Sequence, residues 1–310
     1  MKHHNSSSDT RQAAMNENGL FFLDSGAHSL YNEHIWKRPE QMRKPIGERY
    51  SYYDTDAFWA YVDAYAAFVK EHLDVIDLYA NVDVIYHPQK SWEVQRYLED
   101  EHGLSPVPVV HYGCPLKWVD KYLNAGYAIL GVGGLGQGAT KETYTAWADR
   151  LFAFICPRPS MLPTIKTHGF AMTAYDLMLR FPWWSVDSAT WTKVGAFGGI
   201  MVPHKRGGQF VFDVQPYIIA VSNDSPSNKQ AGKHYQTLSK ADRAIVAEWL
   251  ELIDVPLGKS KADGTVIEYG VCNRHSERKI ANLLFFERLR AWLPAYPWPF
   301  KATVVRGHGL

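Results

Sequence analysis

Along residues 53–73, Phe58, Tyr61, Val62, Tyr65, Phe68 and Val69 return every three or four positions, the spacing that gathers side chains on one stripe of an α-helix. Asp54 or Thr55 stands ahead of the stripe as its N-cap. Elsewhere the pattern changes to short apolar runs closed by turn formers. Leu20, Phe21, Phe22 and Leu23 end in Asp24-Ser25-Gly26 and read as a buried strand. Strand-like and helix-like pieces then take turns, with strands over 77–85, 107–112, 127–132, 163–167 and 184–186 and helices over 91–101, 116–125, 141–154 and 174–180. Strands joined through helices of about ten residues need crossover connections, hence a parallel sheet. Six such strands, with acids and glycines gathered just after them, favour an α/β fold of the TIM type, a (β/α)8 barrel, over an open sheet.

Beyond Gly198 the pattern loosens. Gly207-Gly208 predicts a tight turn, 209–214 a β segment, 222–232 a polar loop, and 240–253 and 274–292 two helices before a proline-rich tail. The expected organisation is a flexible tail over 1–18, the main part of the barrel over 19–205, and its completion with a helical, basic C-terminal region over 206–310. A barrel of about 250 residues plus an appendage accounts for the length.

The strand ends carry the candidate chemistry. Asp24 follows the first strand and reads either as a cap of the next turn or as a carboxylate at a barrel mouth. Asp187 ends a second apolar strand in the same Asp-Ser manner, and Asp83 and His111 fall at two further strand ends. Carboxylates at the ends of different strands of one barrel converge on one mouth, an arrangement suited to substitution at an anomeric carbon. Gly131, Gly133 and Gly136 spell a G-x-G-x-x-G dinucleotide fingerprint, but such a fingerprint opens the first crossover unit, and several units precede this one. The run reads instead as room for a flat ligand against the backbone, or as a loop that needs positive φ.

Composition narrows the classes. The hydrophobic fraction of 46% supplies a sizeable core, and a net charge of +1 provides no global field for a polyanion, so nucleic-acid binding would need local patches. Three scattered cysteines form no disulfide framework, no apolar stretch is long enough for a membrane span, and the first residues are polar, so the expected compartment is the cytoplasm.

Asp24-Ser25-Gly26 resembles the Asp-Ser-Gly-Gly-Phe-Gln motif of the tRNA-guanine transglycosylases, and Gly133-Gly134-Leu135 followed by Gly138 is similar to their Gly-Gly-Leu-x-x-Gly base-binding segment. The stretch from Gly169 to Asp187 resembles the family segment that runs from a Met-Gly-rich strand through a short helix to an aspartate nucleophile. Order and spacing agree over residues 20 to about 200. The resemblance implies that Asp187 is the nucleophile at C1′ and Asp24 the general acid/base. It implies a base-binding set of Ser25, Asp83, His111, Gly133 and Gly134, in which Asp83 reads the N1 and 2-amino edge of the purine.

Departures from the family matter as much. The Cys-x-Cys-x-x-Cys and His zinc site of the tRNA enzymes is absent, Ala27, His28 and Ser29 replace the rest of the first motif, and the Pro-Thr-Arg after the nucleophile is missing. Cys272 and His275 lie one helical turn apart without further ligands, so no metal is expected. The chain is closer in pattern to the 7-deazaguanine transglycosylases of bacteriophages and bacterial DNA-modification clusters, which implies a pentosyltransferase that replaces guanine in DNA by a preQ0-like or preQ1-like base in a bacterial or phage-infected cell. The chemistry requires no cofactor. Between Gly270 and Leu310 the charge is +5, and Arg274, Arg278 and Lys279 on the last helix are the candidate phosphate contacts. Exchange on tRNA, or a barrel that binds a purine or nucleic acid without turnover, are the alternative readings.

Overall fold

Strand and helix alternate through the first half of the computed structural model, which describes residues 20–134, 139–172, 174–225 and 230–301. The expected tail over 1–18 lies outside these residues. The chain divides into two units, Met1–Phe170 and Ala171–Leu310.

In the first unit the chain runs β1 (Phe22–Leu23), α1 (Ala27–Tyr31), α2 (Asp56–Glu71), β2 (Leu78–Tyr79), α3 (Pro88–Asp100), β3 (Val109–His111), α4 (Leu116–Asn124), β4 (Ile129–Gly133), α5 (Lys141–Ile155) and β5 (Lys166–Gly169). Local chemistry sets the helix starts. Thr55 Oγ1 accepts from the Phe58 amide at 3.3 Å, so Thr55 is the cap of α2. A reciprocal Thr140–Thr143 capping box opens α5. Phe58, Val62, Tyr65, Ala66 and Val69 are the buried stripe of α2, as its spacing predicts.

All pairings in this unit are parallel. Phe22 faces Leu78, Ala80 bridges to Val107, Val109 faces Gly131, and Ile129 faces Lys166. The strands therefore stand side by side in chain order, β1-β2-β3-β4-β5, and the sheet is strongly curved. Its first and fifth strands would lie about 19 Å apart if it were flat. Yet the Phe22 ring on β1 is 4.6 Å from the His168 ring on β5 and 5.7 Å from that of Phe170. Residues alternate across a strand, so Phe22, His168 and Phe170 mark the concave face.

The second unit holds α6 (Tyr175–Arg180), β6 (Ser185–Val186), α7 (Thr190–Ala196), β7 (Gly199–Val202), β8 (His204–Arg206), β9 (Gln209–Val211), β10 (Tyr217–Ala220), α8 (Lys240–Leu252) and α9 (His275–Trp292). Here β7 pairs antiparallel with β10, and β8 with β9 through the expected Gly207-Gly208 turn, whose φ angles are +56° and +81°. The whole is a mixed α/β fold of small sheets, and no closed barrel is found among the described residues. Among them, no helix is long and apolar enough to cross a membrane.

Asn282 of α9 ties this unit together. Fully buried, it accepts from the Met201 amide at 2.7 Å and donates to the Trp191 and Gly199 carbonyls at 3.1 and 3.3 Å. Asn282→Ala leaves these backbone groups without their partner, each worth about 1–3 kcal/mol when stranded. The expected loss is about 2–4 kcal/mol in denaturant unfolding, and an unchanged midpoint would show that the three bonds contribute nothing.

Candidate functional site

Two clamps from α3 shape the chain after β2. The Asn81 side chain donates to the Ser91 carbonyl at 2.8 Å, and the Val84 amide donates to Ser91 Oγ at 2.9 Å. Between them lies Asp83, buried at 4% exposure. A buried carboxylate needs a hydrogen-bonding partner. Asp83 has one in the neighbouring strand, where His111 Nε2 donates to its Oδ2. The other nitrogen of the ring is Nδ1. That nitrogen is buried and has no hydrogen-bond partner among the described residues.

The glycines of β4 are explained by what approaches them. A Cβ on Gly133 would stand 3.1 Å from both Cε1 and Nδ1 of His111, and one on Gly131 would meet the Phe170 ring at 2.6 Å. Gly134 has φ +93°, and a Cβ there would lie 2.8 Å from the Tyr112 nitrogen. Gly136 and Gly138 of the expected glycine run lie outside the described residues.

Sequence reasoning passed over Tyr86. Its φ of +63° puts a bulky side chain in the left-handed region, a strain of about 1–3 kcal/mol that is typical of functional sites. The strain brings its ring edge-on to His111, with centroids 6.1 Å apart. Tyr86, His87, His111, Tyr112, Gly113 and Cys114 line a pocket of about 110 Å³. Burial pushes the Cys114 thiol up to about 12, which leaves it protonated and unsuited to nucleophilic work.

Asp24 is exposed at the end of β1 and is not the cap of the helix that follows, since Gly26 with φ +77° holds that position. Ser25 is buried; its carbonyl accepts from Tyr61 Oη at 2.7 Å. Asp24 and Asp83 both act on Tyr65, whose phenol is raised well above its ordinary value by burial first and then by these charges. The first unit thus gathers Asp83, His111, Gly133 and Gly134 at adjoining strand ends, with Asp24 and Ser25 at the end of β1.

In the second unit Asp187 is exposed directly after β6, and its Oδ1 accepts from the Ala171 amide at 2.6 Å. Ser188 Oγ accepts from the Thr190 amide at 2.8 Å and opens α7. Arg274 is exposed, with its guanidinium 4.8 Å from the Tyr269 ring. Arg278, expected to meet phosphate, is instead buried and donates to the Gly195 and Val271 carbonyls at 2.9 Å each. The signal was in the sequence: Arg278 shares a helical stripe with Ala281, Asn282, Phe285 and Leu289, the buried face of α9. Lys279 lies with its Cγ against Gly195. Cys272 is buried, its thiol bonded by the Asn223 amide group at 3.7 Å, and no cluster of three metal-ligating side chains occurs among the described residues.

Comparison with protein-family models, curated proteins and solved structures finds no match to this chain.

Gly133→Ala should push a methyl group onto His111 and cost about 1–3 kcal/mol; in a His111→Ala background the same change should cost much less. Equal costs in the two backgrounds, read by denaturant unfolding, would remove the contact from the argument. Alkaline pH gives a second check. Burial pushes the phenols of Tyr50, Tyr86 and Tyr127 up to about 12 from an ordinary value of 10.0. Below pH 10.0 the folded and unfolded phenols are both protonated, and as pH rises towards about 12 only the unfolded chain releases protons. Stability should therefore fall across that window, and a flat denaturation midpoint there would contradict it.

Proposed function

We propose that the chain is a (β/α)8-type pentosyltransferase that exchanges guanine in DNA for a 7-deazaguanine base such as preQ0 or preQ1. The observation that carries this reading is the Asp83–His111 pair at adjoining strand ends, packed against the bare Cα of Gly133. On this reading the N–H donors at the edge of a flat base are met by the Asp83 carboxylate, which has lone pairs beyond the one given to His111, with the Tyr86 ring as a side wall. The strand order supports the barrel. A doubly wound sheet reverses its order at a switch point, whereas β1 to β5 follow one another and curl.

In the proposed reaction an Asp187 oxygen attacks C1′ of the target nucleotide, and the C1′–N9 bond breaks with its electron pair passing to guanine. Asp24 supplies the proton that neutralises the departing base. The incoming deazaguanine then loses its N9 proton to Asp24, and that nitrogen displaces the carboxylate from C1′. Two inversions retain the configuration, and one glycosidic bond replaces another without an energy source. The Ala171 amide orients the Asp187 carboxylate.

Labelled guanine supplied to duplex DNA and to tRNA in parallel should enter the DNA. Asp187→Asn should lower that exchange by about 10³-fold or more and abolish a covalent protein–DNA species in denaturing electrophoresis, with unfolding unchanged. Undiminished exchange by Asp187→Asn would remove the mechanism, and labelling of tRNA alone would reassign the substrate.

A further inference from the structure

Phe197 is the most exposed large apolar side chain among the described residues, at 84%. Isolated exposed apolar residues are ordinary, but this one stands on an unusually well-tied turn. It follows the last residue of α7, and the Arg278 guanidinium donates to the Gly195 carbonyl at the C-terminal end of that helix. Next in the chain, Gly198 has φ +83°, and its carbonyl accepts from both the Val221 and Ser222 amides at 2.8 and 3.1 Å. Gly199 and Trp191 are held by Asn282. Each side of the phenyl group is bolted down while the ring itself projects into solvent.

The surroundings are cationic and aromatic. Lys193 is exposed one helical turn before Phe197, on the same side of α7. Lys279 crosses α7 at Gly195. The Asn223 amide donates to the Cys272 carbonyl at 2.8 Å and ties the Gly198–Ser222 turn to the segment that leads into Arg274. Arg274 in turn lies over Tyr269, itself 59% exposed. The exposed His275 imidazole is lowered first by slight desolvation and then by the Lys279 and Arg278 charges. The nearby acids are Glu268, Glu277 and Asp224, of which Asp224 acts on the buried Arg278 and Glu268 on Cys272.

We infer that this face, with Lys193, Lys279 and Arg274 as phosphate contacts, docks on duplex DNA, and that Phe197 enters the base stack. The inference rests on the base-exchange reading and adds to it the means by which a paired guanine is made accessible. A nucleotide inside a duplex must leave the stack before C1′ chemistry, and an apolar wedge that fills the vacated space compensates part of the unstacking cost. The seven residues of α7 span about 10 Å between the Asp187 turn and Phe197. The proposed wedge and nucleophile therefore stand at opposite ends of one short helix.

The test compares the full chain with Phe197→Ala and Phe197→Trp on labelled-guanine exchange into DNA whose target guanine is either fully paired or in a single strand. The ratio of paired to unpaired exchange should fall at least tenfold for Phe197→Ala and be largely retained by Phe197→Trp. An unchanged ratio overturns the wedge. A second arm needs no turnover: wild-type chain should bind a duplex carrying an abasic gap at least fivefold tighter than the intact duplex, and Phe197→Ala should lose that preference. Equal preference in both proteins overturns the proposal even if no exchange occurs, whereas a preference lost with Phe197 in a chain that exchanges nothing would retire the base-exchange reading and keep the DNA surface. Tight binding to single-stranded RNA in place of duplex DNA would also overturn it.

Discussion

Burying a carboxylate is tolerable only with a partner that stays beside it, and Asp83 has that partner in His111. Much of the first unit follows from this pair. Asp83 is placed by Ser91, which reaches from α3 to both sides of it. His111 keeps its ring where it is because β4 carries no side chain at Gly133. Three adjoining strands and one helix are therefore specified together, and a change in any one moves an ionisable pair in a dry environment. That coupling gives the site its order before any ligand arrives.

The sequence disclosed the elements with long, regular periods and blurred the rest. The stripe from Phe58 to Val69 was enough to place α2, and the Gly207-Gly208 turn was legible because few other residues adopt its backbone. The fifth expected strand, over 163–167, is found at Lys166–Gly169, since pairing with β4 sets its limits and Pro163 has no amide to contribute. The antiparallel pairing of β7 with β10 could not be read, because the β8–β9 hairpin stands between the partners and periodicity does not say which strand pairs across it. At the site the acids at strand ends were visible as residue types, whereas the Asn81 and Ser91 clamps exist only once helix and strand have met. Arg278 shows the converse. Its charge suggested solvent, and the company it keeps on the α9 stripe decided otherwise.

The two units carry different kinds of chemistry. The first holds a buried acid–imidazole pair beside a small recess lined by His111 and the aromatic rings of Tyr86 and Tyr112. The second offers an exposed carboxylate held by a backbone amide, together with a rigid cationic and aromatic surface.

Arg278 and Asn282 reach back 83 and 81 residues to Gly195 and Met201. On a ribosome that adds about 5–20 residues per second, the turn after β6 emerges several seconds before the helix that holds it. Newly made chains consequently pass through an interval in which the first unit can already assemble its strands while α7 and β7 still lack their ties. Nascent chain in that interval has an ordered first unit beside a second that is still loose, so the arrival of the last helix sets the moment at which α7 and β7 become rigid.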